Sequence, residues 1–181
     1  MADVKQTIAD FYTQAQSRDF SRTNLFRVLN INFGDGSTQV VGENDLVYAR
    51  TASLPAKAIT NVPAPYMGLQ FNVPGVATYP GSDAYTINFY ADAAQQIREK
   101  FLLVVNDTFN DATSTGNYFT PKQSAVIDLV QLDKQLNKIA QYQLVGVSIR
   151  EVGALAYDMT STGDIQQFDV TLAYHYWRKT G

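Results

Sequence analysis

The sequence contains no cysteine. Disulfides, thiolate metal sites and cysteine nucleophiles are thereby excluded, and nothing argues for an oxidising compartment. Histidine is nearly absent too: His175 stands alone, with no second imidazole to build a histidine metal site. Basic residues are few and scattered. Fourteen Lys and Arg face 17 Asp and Glu, for a net charge of −3 and a pI near 5.0, and only Arg178–Lys179 and the pair Arg98/Lys100 lie close together. A protein that grips nucleic acid by its phosphates needs clustered bases, so tight nucleic-acid binding is not expected. No apolar run approaches the ~18 residues of a membrane span. Charge also occupies the first ten residues, where a signal peptide would carry an apolar core, so synthesis in the cytosol without membrane insertion is expected. Phosphate-loop, nucleophile-elbow and His-Glu-x-x-His patterns are all missing. The acid pairs Asp107/Asp111 and Asp128/Asp133 are expected in a loop and on opposite faces of a strand, which makes them solvated surface. Neither an enzyme nor a cofactor site is indicated.

What the chain does contain is alternation. Its 181 residues suit one domain spanning 1–181, large enough to bury roughly 70% of the unfolded surface. The clearest segment is 165–177, where Phe168, Val170, Leu172, Tyr174 and Tyr176 fall on one face as a core row. Gln167, Asp169, Thr171, Ala173 and His175 fall on the other. At about a dozen residues it reads as a strand twice the common length. Trp177, beside Tyr174 and Tyr176, reads as an aromatic cap on the core.

Taken in order, Val4, Ile8, Phe11 and Ala15 predict a short amphipathic helix within 1–20. A strand over 25–33 follows, then a turn at 34–36 in which Asp35 is a turn residue flanked by glycines. A poorer strand covers 46–53. Residues 54–65 hold Pro55, Pro63 and Pro65, three of the six prolines, and read as a stiff extended loop that cannot join a ladder regularly. Strands are expected over 66–73 and 84–91. Asp92 is placed to cap a helix over 93–105 with Ile97, Phe101, Leu102 and Val105 as its stripe. A polar loop over 107–121 precedes a strand over 125–132 and a long one over 139–152. The class is α+β and β-dominated: two packed antiparallel sheets, sandwich- or barrel-like, with one flanking helix and the short N-terminal helix.

Several strands pair an apolar row with a neutral polar one: Gln70 and Asn72, Thr86 and Asn88, Gln167 and Thr171, with Asp169 as an occasional acid. A solvent face is ordinarily dressed with Lys and Glu. Small uncharged polar groups suit a smooth wet surface that does not hold what slides past it, or simply a wet sheet face.

At this point the chain resembles the tail tube proteins of contractile-tailed bacteriophages. The resemblance rests on Phe20-Ser-Arg-Thr-Asn24-Leu25-Phe26-Arg-Val28, on Ala52-Ser-Leu54-Pro55-Ala56, and on Ile97-Arg-Glu-Lys-Phe101. It rests above all on Ile165-Gln-Gln-Phe168-Asp169-Val170-Thr-Leu172 leading to Tyr176-Trp177. It implies a structural virion protein forming stacked rings of six subunits, with inner sheets joined into one wall around a bore that carries DNA into the host. Gln70, Asn72, Thr86, Asn88, Gln167, Asp169 and Thr171 would then face the lumen. The proline loop, through Leu54, Pro55, Ile59, Val62 and Pro63, would reach the next ring. Implied partners are further copies of the chain, the sheath, the tube-initiating baseplate proteins, the terminator and the tape-measure protein. Two other readings stay open: a type VI secretion or bacteriocin tube of the same fold, and a small β-barrel that binds an apolar ligand.

Overall fold

The computed structural model describes residues 7–34, 41–116 and 122–181. The expected helix start at Val4, the turn residues Asp35 and Gly36, and the end of the polar loop lie outside the described residues. In chain order the first elements are α1 (Ile8–Arg18), β1 (Phe26–Phe33), α2 (Glu43–Leu46), β2 (Ala49–Thr51), β3 (Ala58–Tyr66), β4 (Leu69–Thr78) and β5 (Tyr85–Tyr90). There follow α3 (Gln96–Thr108), β6 (Phe109–Asn110), β7 (Thr115–Gly116), β8 (Ala125–Leu132), β9 (Lys138–Val145), β10 (Ser148–Val152), β11 (Gln167–Ala173) and β12 (Tyr176–Lys179).

Two four-stranded antiparallel sheets share one core. The first has the order β1-β8-β9-β12 and the second β10-β11-β5-β2. Alternation decides which side chains meet between them. Val28, Ile31, Ile127, Leu129 and Leu144 come from the first sheet, and Tyr85, Ile87, Phe89, Phe168, Val170 and Leu172 from the second. The sheets do not close on themselves, so β1, β12, β10 and β2 each present an unpaired edge among the described residues. That geometry does not suit the small closed barrel.

Both long strands expected from the sequence are divided. The span 139–152 becomes β9 in the first sheet and β10 in the second, and 165–177 becomes β11 in the second sheet and β12 in the first. The two segments cross between sheets side by side. His175 N donates to Val145 O at 2.9 Å, and Gly146 N and Val147 N both donate to Ala125 O, at 2.8 and 3.2 Å. Such corners, where strands change sheets at a bend, are how stacked sheets are joined. Gly146 makes the bend possible: its φ is +74°, and a Cβ there would run into the His175 imidazole. The corner also shifts the alternation. Phe168, Val170, Leu172 and Tyr174 are buried, but Tyr176 is only half-buried, and Trp177 takes its place against the core. Trp177 meets Tyr142 edge-on, with ring centroids 5.9 Å apart.

Helix α3 starts three residues later than expected, at Gln96, so the N-cap position is Gln95 in place of Asp92, whose side chain nevertheless reaches the first turn. The Asp92 carboxylate accepts from Gln96 N at 3.1 Å and Ile97 N at 3.2 Å. The buried stripe is Ile97, Phe101 and Val104 in place of the expected Leu102 and Val105. Phe101 completes an aromatic trio with Phe89 at 5.3 Å and Phe168 at 6.4 Å. Asp107, expected in a loop, lies within this helix. The weak strand over 46–53 resolves into the short helix α2, whose Asp45 pairs with Lys100 of α3 at 2.6 Å, and the three-residue β2. Helix α1 begins at a reciprocal cap between Thr7 and Asp10 and buries none of its residues.

Candidate assembly surfaces

The proline-rich stretch is not a loop. From Ala58 it forms β3, which pairs with β4 in a two-stranded hairpin that joins neither main sheet. Prolines are admitted because a two-stranded ribbon has open edges. Lacking a donor, Pro63 and Pro65 are tolerated where the backbone nitrogen points to such an edge. Pro63 stands opposite Asn72, Pro65 opposite Gln70 and Pro74 opposite Asn61. The tip turns at Met67 (φ +48°) and Gly68 (φ +80°), the paired positive φ values of a tight hairpin turn. At the base, Trp177 Nε1 donates to Ala56 O at 3.0 Å and ties the arm to β12.

Cross-strand pairing sorts the hairpin into two faces. Val62 opposes Val73, Ala64 opposes Phe71 and Tyr66 opposes Leu69, so these six share one apolar face. Asn61, Gln70 and Asn72 share the other with the three prolines. Every residue from Ile59 to Ala77 is exposed, Met67 at the tip reaching 86%. No charged residue occurs from Ala58 to Thr78. A long, apolar, uncharged and uncovered ribbon is what folded proteins avoid unless another chain covers it. Of the expected loop contacts, Ile59, Val62 and Pro63 lie on this arm, while Leu54 and Pro55 lie below its base.

The expected polar row divides between two places. Thr86, Asn88, Gln167, Asp169 and Thr171 come together on the outer face of the second sheet, where Asp169 opposes Asn88 and Thr171 opposes Thr86. Asn88 Nδ2 donates to Asp169 Oδ1 at 2.8 Å. Gln70 and Asn72 stand apart from that sheet, on the polar face of the hairpin.

The outer face of the first sheet holds a second polar set that sequence reasoning passed over. Asp128 accepts from Gln143 Nε2 at 3.0 Å, Gln141 Nε2 at 3.3 Å and Asn30 Nδ2 at 3.5 Å. Arg178 reaches Gln143 Oε1 through Nε at 3.0 Å and a terminal nitrogen at 2.6 Å. The signal was present in the spacing of Asn30/Asn32 and Gln141/Gln143, each two residues apart, on the two strands that flank β8. Asp133, expected on the opposite face of the strand from Asp128, lies just beyond β8 and caps the β8–β9 turn. It accepts from Gln135 N and Asn137 N, each at 2.8 Å, and the Asn137 amide holds its carboxyl below the usual range.

Nothing in these surfaces resembles a catalytic arrangement. His175 is exposed, and no group of three metal-ligating side chains occurs among the described residues. The strongly shifted group is Tyr85, whose phenol is pushed well above its ordinary range by burial while donating to Ser53 O at 2.6 Å. Its role is structural, at the base of the hairpin. No described helix is long and apolar enough to cross a membrane.

An open two-sheet sandwich with a flanking helix and a projecting hairpin is a fold found in structures of contractile injection machines. The structure superposes on a chain from the structure of the anti-feeding prophage cap, which terminates its tube, with a TM-score of 0.58, at 14% identity, covering 89% of this chain and 91% of that one. It matches a chain of the PVC sheath-tube complex, an extracellular contractile injection system in its extended state, with a TM-score of 0.57. There the identity is 13%, over 93% and 96% of the two chains. No protein-family profile matches the chain. Sequence similarity is closer. The tail tube protein gp19 of Enterobacteria phage T4 is 31% identical over 169 residues, 90% of this chain and 93% of its own, and that of phage T6 gives the same figures. The chain belongs to the phage tail tube protein family. It is a structural protein, as its relatives are, and not an enzyme.

Proposed function

We propose that this chain builds the inner tube of a contractile phage tail, as rings of six copies stacked into a hollow filament through which DNA leaves the virion after the sheath contracts. The observation that carries the reading is the uncharged hairpin beside four sheet edges that are open among the described residues, a monomer surface suited to completion by further copies. Contacts that repeat head to tail along an axis do not close, and a filament results. In that filament Ile59, Val62 and Pro63 of the arm, with Leu54 and Pro55 at its root, lie between rings. Thr86, Asn88, Gln167, Asp169 and Thr171 line the bore, with Gln70 and Asn72 continuing the lining along the arm's polar face. A neutral to acidic wall repels phosphates, whereas a basic wall would hold DNA with steep salt dependence.

Sheath, tube-initiating baseplate proteins, terminator and tape-measure protein are the partners such a tube requires, and assembly takes place in the host cytoplasm before release. The tube of a secretion machine or phage-tail-like bacteriocin shares the fold, and the likeness to contractile injection systems keeps that second reading in view. Negative-stain microscopy of the purified protein tests the first claim: rings or hollow rods are expected, and a persistent monomer at high concentration refutes it. The lining is tested separately with Asp169→Arg, expected to leave rods intact while lowering infectivity. Undiminished infectivity would place that face elsewhere.

A further inference from the structure

The arm joins the sandwich through two segments, 53–57 leading into β3 and 79–84 following β4. A cavity of about 350 Å³ lies between them, lined by Leu54, Pro55, Ala56, Pro80, Ala84 and Tyr174. Every residue from Ile59 to Ala77 is exposed, and the hairpin pairs with neither main sheet, so the direction of the arm is set at this root. Two side chains reach the root from opposite sheets. Tyr85, on β5 of the second sheet, donates its hydroxyl to Ser53 O at 2.6 Å, and Trp177, on β12 of the first, donates Nε1 to Ala56 O at 3.0 Å. The two acceptors straddle Pro55, whose ring fixes its own φ and stiffens the segment between them. Two fixed points on a stiff segment define a direction, where one would leave a pivot. The other root contacts do less: Lys57 Nζ lies 5.9 Å from the Tyr79 ring centroid and links the two segments to each other, and Tyr174 N donates to Ser82 O at 2.8 Å on the return side alone.

We infer that Trp177 and Tyr85 are positioning residues that hold the arm at one angle to the sandwich. This rests on the tube reading above, in which the arm meets the next ring, and adds which side chains aim it. Leverage gives the two bonds their weight. The strands of 9 and 10 residues extend about 30 Å, so a rotation of about 10° at the root carries the tip about 5 Å. That displacement exceeds the ~4.5 Å within which apolar atoms touch. An arm that wanders among angles is competent to assemble for only part of the time, and its apparent affinity falls by that fraction. Both donors can be removed with their rings left in place. Trp177→Phe keeps a ring beside Tyr142, and Ala56 is exposed, so water replaces the indole at its carbonyl. Tyr85→Phe keeps the ring that meets Tyr174 edge-on.

The cysteine-free chain accepts nitroxide labels at two exposed sites, Met67→Cys on the tip and Leu103→Cys on α3. Pulsed electron-spin distance measurement, made below the concentration at which rods form, then reads the angle of the arm within single copies. One narrow distance distribution is expected for the native root. Trp177→Phe/Tyr85→Phe should give one at least about twice as wide and need about tenfold more protein to form rods. Ile31→Val, a change in the buried core of β1 outside the root, separates aiming from general loosening and should leave the width as it is. An unchanged width in the double variant, an equal broadening in Ile31→Val, or rods at the wild-type concentration despite a broadened arm would each overturn the inference. Wild-type protein that never forms rods, beside a double variant with a broadened arm, overturns the tube reading and leaves the aiming standing. Should the double variant fail to fold, Trp177→Phe alone is measured: a wider distribution is expected, and an unchanged one overturns the inference.

Discussion

At the scale of single residues, chemistry here serves packing and not catalysis. Tyr85 shows how. Its ring lies 5.8 Å from that of Tyr174, edge to face, and its hydroxyl is bound to a backbone carbonyl just upstream of the hairpin. Burial raises the Tyr85 phenol, and burial together with Tyr79 raises that of Tyr174. Both folded values lie above the unfolded one, so the neutral phenols contribute stability that is complete below about pH 10, where an unfolded tyrosine begins to ionise, and is lost as pH rises further. Wild-type stability measured by urea unfolding should therefore fall between about pH 10 and pH 11. Tyr85→Phe should cost about 0.5–1.5 kcal/mol at neutral pH and make the alkaline fall shallower, with Tyr174 supplying what remains. An alkaline fall of the same depth in the variant would contradict the assignment. The buried row of β11 and the polar row beside it were plain from alternation alone, because within one sheet side-chain direction has no freedom beyond the period of two. Asp128 was not, because its partners Asn30, Gln141 and Gln143 come from two neighbouring strands.

At the scale of elements, the corner at Gly146 and His175 carries most of what alternation concealed. A segment that changes sheets is extended on both sides of a short bend, so the alternation in its sequence resumes past the bend. Only the exchange of Tyr176 for Trp177 against the core marks the change. Gly146→Ala must place a Cβ at positive φ against the His175 ring, and a loss of about 1–3 kcal/mol is expected in thermal or urea unfolding. The double variant Gly146→Ala/His175→Ala should recover part of that loss. If it recovers nothing, crowding by the imidazole is not the cause and backbone strain alone explains the cost. The hairpin was concealed for a different reason. Three prolines argue against a strand in the middle of a sheet, but they have little force in a free ribbon, where alternate backbone nitrogens point away from the partner. Helix α3 was legible in existence and in the Asp92 carboxylate that meets its first N–H groups, and its buried stripe takes Val104 at the i+3 step from Phe101, with Leu102 and Val105 half-buried beside it.

At the scale of the whole molecule, the monomer is an incomplete object. Its hairpin and α1 bury little of their own apolar surface, and among the described residues its sheets end in unpaired edges. Assembly driven by an uncharged arm should respond to salt as hydrophobic burial does and not as ion pairing does. Raising sulfate is therefore expected to promote rod formation, read by light scattering and microscopy, and moderate chloride should have little effect. Rods that dissolve as chloride rises through the screening range would show that charged contacts, and not the arm, hold the copies together.

The residue pattern by itself determined a β-dominated α+β chain and the identity of most core rows. These follow from local rules, namely side-chain period and capping. Tertiary structure decided where extended segments pass from one sheet to the other, that the proline stretch folds back on β4 as a free arm, and which polar residues share a wall. Each of those depends on contacts between residues far apart in the chain, and no spacing along one strand encodes which strand will lie beside it.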